Sequence, residues 1–191
     1  MSVFLREAKI RLAIPLVLVV VMWLVEGANI VTHDALETYG IRPRSAPGLW
    51  GIVFAPFLHA NVAHLIANTL PFLVLGWLVA LRGLRAFVLV TLTVMLLGGL
   101  GVWLVGRPFS VHVGASGLIF GYIGFLLARG VFERSAQAVM LGLVVLFLYG
   151  GAIWGVLPGS PRISWESHLF SFLAGIAAAR WLPLRSRARV R

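Results

Sequence analysis

The sequence has no cysteine among its 191 residues, which excludes disulfide bonds and catalysis by a thiolate. Charged residues are also scarce, at 12% of the chain, whereas hydrophobic residues make up 60%. Soluble domains carry about 25% charged residues, and the mean hydropathy of this chain is +0.98. The composition therefore predicts an integral membrane protein, too small to include a separate soluble domain.

Acidic residues are the scarcest charged type, with six against 16 basic residues and a formal net charge of +10. The basic residues stand in short clusters between apolar runs. This arrangement is typical of topology signals and of contact with anionic lipid headgroups, and we expect no nucleic-acid partner. No Ala-x-Ala-like cleavage site follows the first apolar run. We interpret that run as a retained span rather than a removed signal peptide.

Apolar runs of a length that suits a bilayer recur along the chain. They predict one all-α domain over residues 1–191, a polytopic membrane bundle of six transmembrane helices at roughly 10–31, 57–81, 86–105, 114–131, 137–156 and 165–182. Six spans place both termini on one side of the membrane. That side holds 12 of the 16 basic residues, and the other side holds Arg42, Arg44, Arg107 and Arg162. The positive-inside rule then predicts cytoplasmic termini.

A few polar side chains interrupt the apolar runs, all near the predicted outer ends of spans. Span two holds His59, His64 and Asn68, span four begins near Ser116, and span six holds His168. At about 1.5 Å of rise per residue, these side chains lie at one level in the outer leaflet. Because a polar side chain in hydrocarbon costs free energy, several at one depth indicate a functional site.

The residue types at this level suit acyl transfer. Ser116 is a candidate nucleophile, and His168 is a candidate general base that takes the proton and returns it to the leaving amine. No carboxylate lies at this depth to orient the imidazole, but Phe120, one turn from Ser116, could hold the ring by stacking. His64 and Asn68 share a helix face and could hold an oxyanion together with the backbone N–H of Ser116.

Two other interpretations of these residues stay open. A metal hydrolase would use the histidines as ligands, but the sequence has no His-Glu-x-x-His motif and no carboxylate at that level. We therefore expect neither a metal nor another cofactor. A transporter would need polar groups through both leaflets, whereas the inner halves of these spans are almost wholly apolar. His33 and His112 stand in predicted loops, and we interpret both as non-catalytic.

Three motifs together resemble the rhomboid family of intramembrane serine proteases, in its minimal six-span bacterial form. The resemblance covers nearly the whole chain. In order along the sequence the motifs are His59-x4-His64-Leu-x2-Asn68 with Gly76 after it, Gly114-x-Ser116-Gly117, and His168 with Gly175 seven residues on. Each motif alone is weak, but the three in this order on spans two, four and six are specific.

This resemblance implies a serine endopeptidase that cleaves transmembrane segments of other membrane proteins. It implies a catalytic dyad of Ser116 and His168, an oxyanion hole formed by His64, Asn68 and the Ser116 backbone, and supporting roles for His59, Gly114, Gly117 and Phe120. It further implies a bacterial plasma membrane, a site that opens to the extracytoplasmic side, and no cofactor. Span five and the loop 157–164 would act as gate and cap.

An alternative of another class is an inactive rhomboid-like protein that binds membrane clients. Inactive relatives usually lose the serine or the histidine, and this chain keeps both Ser116 and His168. The chain also departs from many family members. Its first loop lacks an adjacent Trp-Arg pair, which leaves the anchoring of that loop open, and Ser171 stands where glycine is common.

Overall fold

The computed structural model describes residues 3–159 and 164–182, which form a bundle of helices. The long helices, here α1 to α6, are Val3–Val31, Val62–Ala80, Leu84–Val105, Ser116–Glu133, Ala136–Tyr149 and Trp165–Trp181. A π-helical turn interrupts α3 at Val94–Gly98, and α5 continues as a 3-10 helix over Gly150–Val156. These residues contain no β-strand, only an isolated bridge between Ile41 and His112. The predicted all-α class is confirmed.

Membrane-spanning capacity is clear for five helical stretches in the described ranges. Each is long and apolar enough to cross a bilayer: Ile10–Val31, Val62–Ala80, Leu84–Val105, Ser116–Glu133 and Ala136–Val156. The chain is therefore an integral membrane protein. Helix α6 is not among the five, since it has 17 residues, about 26 Å of helix, and includes Glu166, Ser167 and His168 in its first turn. That α6 is a sixth span remains a prediction.

Helix α2 begins at Val62. The apolar run alone predicts a start near residue 57. The backbone of Asn61 is extended, and its side-chain oxygen accepts a hydrogen bond from the backbone N–H of His64 at 2.8 Å. This N-cap defines where the helix starts. His59 consequently lies in the segment before α2, not on the helix itself. Helix α4 likewise begins at Ser116 rather than at residue 114.

Helix α4 lies at the centre of the bundle and packs against α6, α5 and α2, most extensively against α6. Close packing needs small residues, since a Cβ atom at Gly175 of α6 would overlap the carbonyl oxygen of Gly121. A Cβ atom at Gly117 would lie 3.1 Å from the hydroxyl oxygens of both Ser167 and Ser171. The helices that carry Ser116 and His168 are thus held backbone to backbone.

Polar contacts mark the end of the bundle opposite to Ser116. The guanidinium of Arg11 donates to the carbonyl of Leu81, and Arg82 pairs with Glu133 at 2.5 Å. The part of α1 around Arg11, the turn between α2 and α3 and the end of α4 therefore lie together. Of the other basic residues used to predict topology, Arg162 and the C-terminal arginines from Arg185 onward lie outside the described residues.

The first loop is anchored without an adjacent Trp-Arg pair. The indole nitrogen of Trp103, near the end of α3, donates to the carbonyl of Ser45 at 2.8 Å. The guanidinium of Arg44 donates in turn to the carbonyl of Leu104 at 2.9 Å, and its backbone N–H donates to the carbonyl of Trp103 at 2.8 Å. A tryptophan and an arginine from different segments thus join the loop to α3.

Candidate active site

Ser116 and His168 are hydrogen-bonded to each other. Ser116 is the first residue of α4 and His168 lies in the first turn of α6, so each projects from a helix start. The distance from the hydroxyl oxygen of Ser116 to Nε2 of His168 is 3.0 Å. Close packing of α4 against α6 sets this distance, which is within reach for direct proton transfer.

The imidazole of His168 is held on two further sides. Its Nδ1 lies 2.9 Å from the carbonyl oxygen of Gly155, which can only accept, so Nδ1 carries the proton. In the neutral ring Nε2 is then the acceptor for the Ser116 hydroxyl. The ring of Phe120 stacks on the imidazole, with centroids 4.0 Å apart and planes 7° from parallel. A backbone carbonyl and an aromatic ring thus contact the imidazole on the sides where a catalytic triad would have a carboxylate.

The side chains from α2 face the same space. His64 and Asn68 line a cavity of about 880 Å³ together with Ser116, Phe120 and His168. The amide nitrogen of Asn68 is buried, and no described residue accepts a hydrogen bond from it. The backbone N–H groups of the first turn of α4, which starts at Ser116, have no partner within the helix. Side-chain donors from α2 therefore line the same cavity as the Ser116 hydroxyl, next to the start of α4.

His59 and Gly114 shape the turn that leads into Ser116. His59 is fully buried, and its Nε2 accepts a hydrogen bond from the backbone N–H of Ala115 at 3.3 Å. Gly114 has φ of +115°, and a Cβ atom there would lie 2.6 Å from the ring of His64. Glycine is required for both reasons. His59 thus supports the turn before Ser116 and does not line the cavity wall.

A second polar group lies beside Ser116 and His168, and four of its five residues line the same cavity. It joins the loop before α4 to the start of α6 and consists of Arg107, Ser110, His112, Ser164 and Glu166. Glu166 is 1% exposed, and its carboxylate accepts from Nε of Arg107 at 2.8 Å. Burial lowers the pKa of the His112 imidazole, and Arg107 lowers it further, while Glu166 partly offsets both. The sequence shows these residues but not their association, because they come from separate segments.

One family model and several known proteins are similar to this chain. Residues 46–185 match the family model of the Rhomboid domain, a range that includes every residue of the site. A protein of Mycobacterium tuberculosis, described as uncharacterized, is 46% identical over 180 residues, or 90% of this chain and 75% of that protein. A protein of Mycobacterium leprae, also described as uncharacterized, is 45% identical over 87% of this chain and 69% of its own length. RHOMBOID-like protein 2 of Arabidopsis thaliana is 30% identical over 71% of this chain and 43% of its own.

Proposed function

The chain belongs to the rhomboid family, and we propose that it is an intramembrane serine endopeptidase with Ser116 as nucleophile and His168 as general base. The observation that carries this proposal is the hydrogen bond of 3.0 Å between the Ser116 hydroxyl and Nε2 of His168. Since Nδ1 of His168 donates to Gly155, Nε2 is free to take the serine proton. A neutral imidazole in this tautomer is the form that a general base needs.

The reaction proceeds through an acyl-enzyme. The hydroxyl oxygen of Ser116 attacks the carbonyl carbon of the scissile peptide while its proton passes to Nε2 of His168. The tetrahedral intermediate then loses the amine as the C–N bond breaks, and His168 returns the proton to the leaving nitrogen. Water then attacks the ester carbonyl while its proton passes to Nε2 of His168. The C–O bond to Ser116 breaks, and His168 returns the proton to the serine oxygen, which releases the carboxylic acid product.

The charge that develops on the substrate oxygen needs donors already in place. Asn68 supplies a buried amide nitrogen, and no described residue accepts a hydrogen bond from it. His64 lines the same cavity, and the N–H of Ser116 lies at the start of α4, where the helix dipole favours negative charge. Donors fixed before the reaction stabilise the oxyanion without the cost of reorganising solvent.

The substrates we propose are transmembrane segments of other membrane proteins, cut near their outer ends. The cavity lies at the end of the bundle opposite to Arg11 and Arg82, and the positive-inside rule places that arginine-rich end in the cytoplasm. The site then opens to the extracytoplasmic side of a bacterial plasma membrane. A substrate helix must unwind locally, since the scissile peptide has to leave its helical hydrogen bonds to enter the cavity.

Cleavage of a single-span substrate in proteoliposomes tests the proposal. The wild type should release the ectodomain, whereas Ser116→Ala and His168→Ala should release none while still folding and inserting into the membrane. Ser186→Ala, in the arginine-rich C-terminal segment, is the matched control and should cleave as the wild type does. Full cleavage by Ser116→Ala would overturn the proposal, and binding of substrate without cleavage by the wild type would favour a client-binding protein.

A further inference from the structure

Two hydrogen bonds join the same pair of chain segments. Ser116 bonds to His168, and four residues earlier on each segment His112 bonds to Ser164, so that both bonds join residues 52 positions apart. Residues 112–116 and 164–168 therefore run side by side. His112 and Ser164 also line the cavity that contains the dyad.

The direction of the hydrogen bonds around His112 can be assigned. The Ser110 hydroxyl lies 2.6 Å from the carbonyl of Arg107, which can only accept, so Ser110 donates there. Its oxygen, 2.8 Å from Nε2 of His112, must then accept from that nitrogen. Nδ1 of the neutral ring is left as the acceptor for the Ser164 hydroxyl. Burial lowers the pKa of this imidazole, which favours the neutral form that this assignment uses.

The Ser164 hydroxyl bonds to His112 instead of capping α6. Ser164 is the N-cap residue of α6, and serine in this position commonly accepts a hydrogen bond from a backbone N–H of the first turn. Here its side chain makes no such bond to a described residue of α6 and bonds to His112 instead. The carbonyl of Ser164 meanwhile accepts the backbone N–H of His168 at 3.2 Å. His112 thus contacts Ser164, the residue whose carbonyl accepts the helical hydrogen bond from the backbone N–H of His168.

The loop that carries His112 is itself fixed. The backbone of His112 pairs with Ile41 through two hydrogen bonds of 3.0 and 2.9 Å. His112 as a whole is 3% exposed. Arg107, five residues earlier in the loop, donates to the buried carboxylate of Glu166 through Nε at 2.8 Å and through its backbone N–H at 3.3 Å. His112 therefore belongs to a supported segment and can position the start of α6.

We propose that His112 is a positioning residue for the dyad, acting through Ser164 to fix the start of α6 and hence the distance between Nε2 of His168 and the Ser116 hydroxyl. This inference rests on the proposed proteolytic function. It assigns His112 no contact with the reacting atoms. Loss of the bond to Ser164 loosens the first turn of α6, and a displacement of about 1 Å of a reacting group can lower a rate by about 10².

Two conservative variants separate the two bonds of the ring. In His112→Asn the amide oxygen stands near the Nδ1 position and can still accept from Ser164. In His112→Gln the longer amide reaches the Nε2 position and retains only the bond to Ser110. His112→Ala removes both bonds, and Ser164→Ala removes the shared bond from the other side. His33→Asn, at an exposed residue with φ of 55°, controls for the substitution itself.

The measurements are kcat and KM for a transmembrane substrate, the rate of labelling by a small fluorophosphonate, and thermal stability. His112→Ala and Ser164→Ala should each lower kcat and the labelling rate by about 10- to 100-fold, with KM unchanged and no further loss in the double variant. His112→Asn should recover most of the rate and His112→Gln should not. His33→Asn should match the wild type.

Several results would overturn the inference. They are labelling by Ser164→Ala at the wild-type rate, recovery by His112→Gln rather than His112→Asn, additive losses in the double variant, or a rise in KM alone, which would mean substrate contact. If His112→Ala does not fold, Ser164→Ala and the His112→Asn and His112→Gln pair still decide the matter. A wild type that neither cleaves nor labels would instead refute the proposed function.

Discussion

The carbonyl oxygen of Gly155 accepts a hydrogen bond from Nδ1 of His168 at 2.9 Å. Gly155 lies in the 3-10 helix Gly150–Val156 that follows α5, and His168 lies in α6. The bond fixes the tautomer in which Nε2 faces the Ser116 hydroxyl, without any carboxylate. The segment after α5 thereby determines which nitrogen of the proposed general base carries the proton.

The absence of a side chain at Gly155 is part of this control. A Cβ atom there would lie 3.1 Å from both Nδ1 of His168 and the ring of Phe120, so Gly155→Ala must push the two stacked rings. We expect kcat to fall about tenfold, because the base leaves its position against Ser116. Gly151→Ala, in the same 3-10 helix but with open space around it, should leave kcat unchanged. An equal loss of kcat in the two variants would mean that kcat depends on the 3-10 helix as a whole and not on the contact between residue 155 and the two rings.

Stacking by Phe120 should affect kcat less than the hydrogen bond between His168 and Gly155 does. Phe120→Leu keeps an apolar side chain but removes the ring that lies 4.0 Å from the imidazole. Aromatic pairs contribute about 1 kcal/mol beyond their buried area, so kcat should fall about fivefold. The decrease in kcat should be smaller for Phe120→Tyr, which retains the ring. A wild-type kcat for Phe120→Leu would remove Phe120 from the group that orients His168.

Asn68 is expected to act only on the transition state. Asn68→Ala removes the unused amide donor, and loss of one oxyanion donor lowers turnover by about 10²–10³. KM should change little, since the bond forms to charge that is absent from the ground state. Thr69→Ala, at the neighbouring residue whose hydroxyl bonds to the carbonyl of Leu65, is the control. A higher KM with wild-type kcat would assign Asn68 to substrate docking instead.

Orientation in the membrane is testable without any activity assay. A reporter that is active only outside the cytoplasm should be silent when fused after Arg191 and active when inserted beside Pro158. Both results follow from placing the arginine-rich end in the cytoplasm. The reverse pattern would put the cavity on the cytoplasmic side.

Sequence patterns could predict the polar side chains of the site but not the backbone that positions them. His64, Asn68, Ser116 and His168 stand out because each interrupts or borders an apolar run. The carbonyl of Gly155 has no such signal, since every residue carries one, and Gly155 lies in an apolar run. The partner of His112 was equally hidden, because Ser164 is distant in sequence and its contact depends on how α6 packs.

Helix bounds were the other part that apolar content could not predict. The run from residue 57 suggested a helix that includes His59, whereas the side chain of Asn61 caps the helix at Val62. The sequence does contain an N-cap signal, because Asn61 directly precedes the run that begins at Val62 and asparagine is a preferred N-cap residue. Apolar runs report burial in lipid or protein, but capping residues determine where a helix starts.

Covalent labelling at Ser116 is the most direct test of the central claim that His168 activates this serine. The wild type is treated with a fluorophosphonate, and the modified residue is identified by peptide mass spectrometry. The adduct should be on Ser116, and His168→Ala should form it about 10²–10⁴ times more slowly, the usual contribution of a general base. An adduct on another serine, or labelling of His168→Ala at the wild-type rate, would contradict the account.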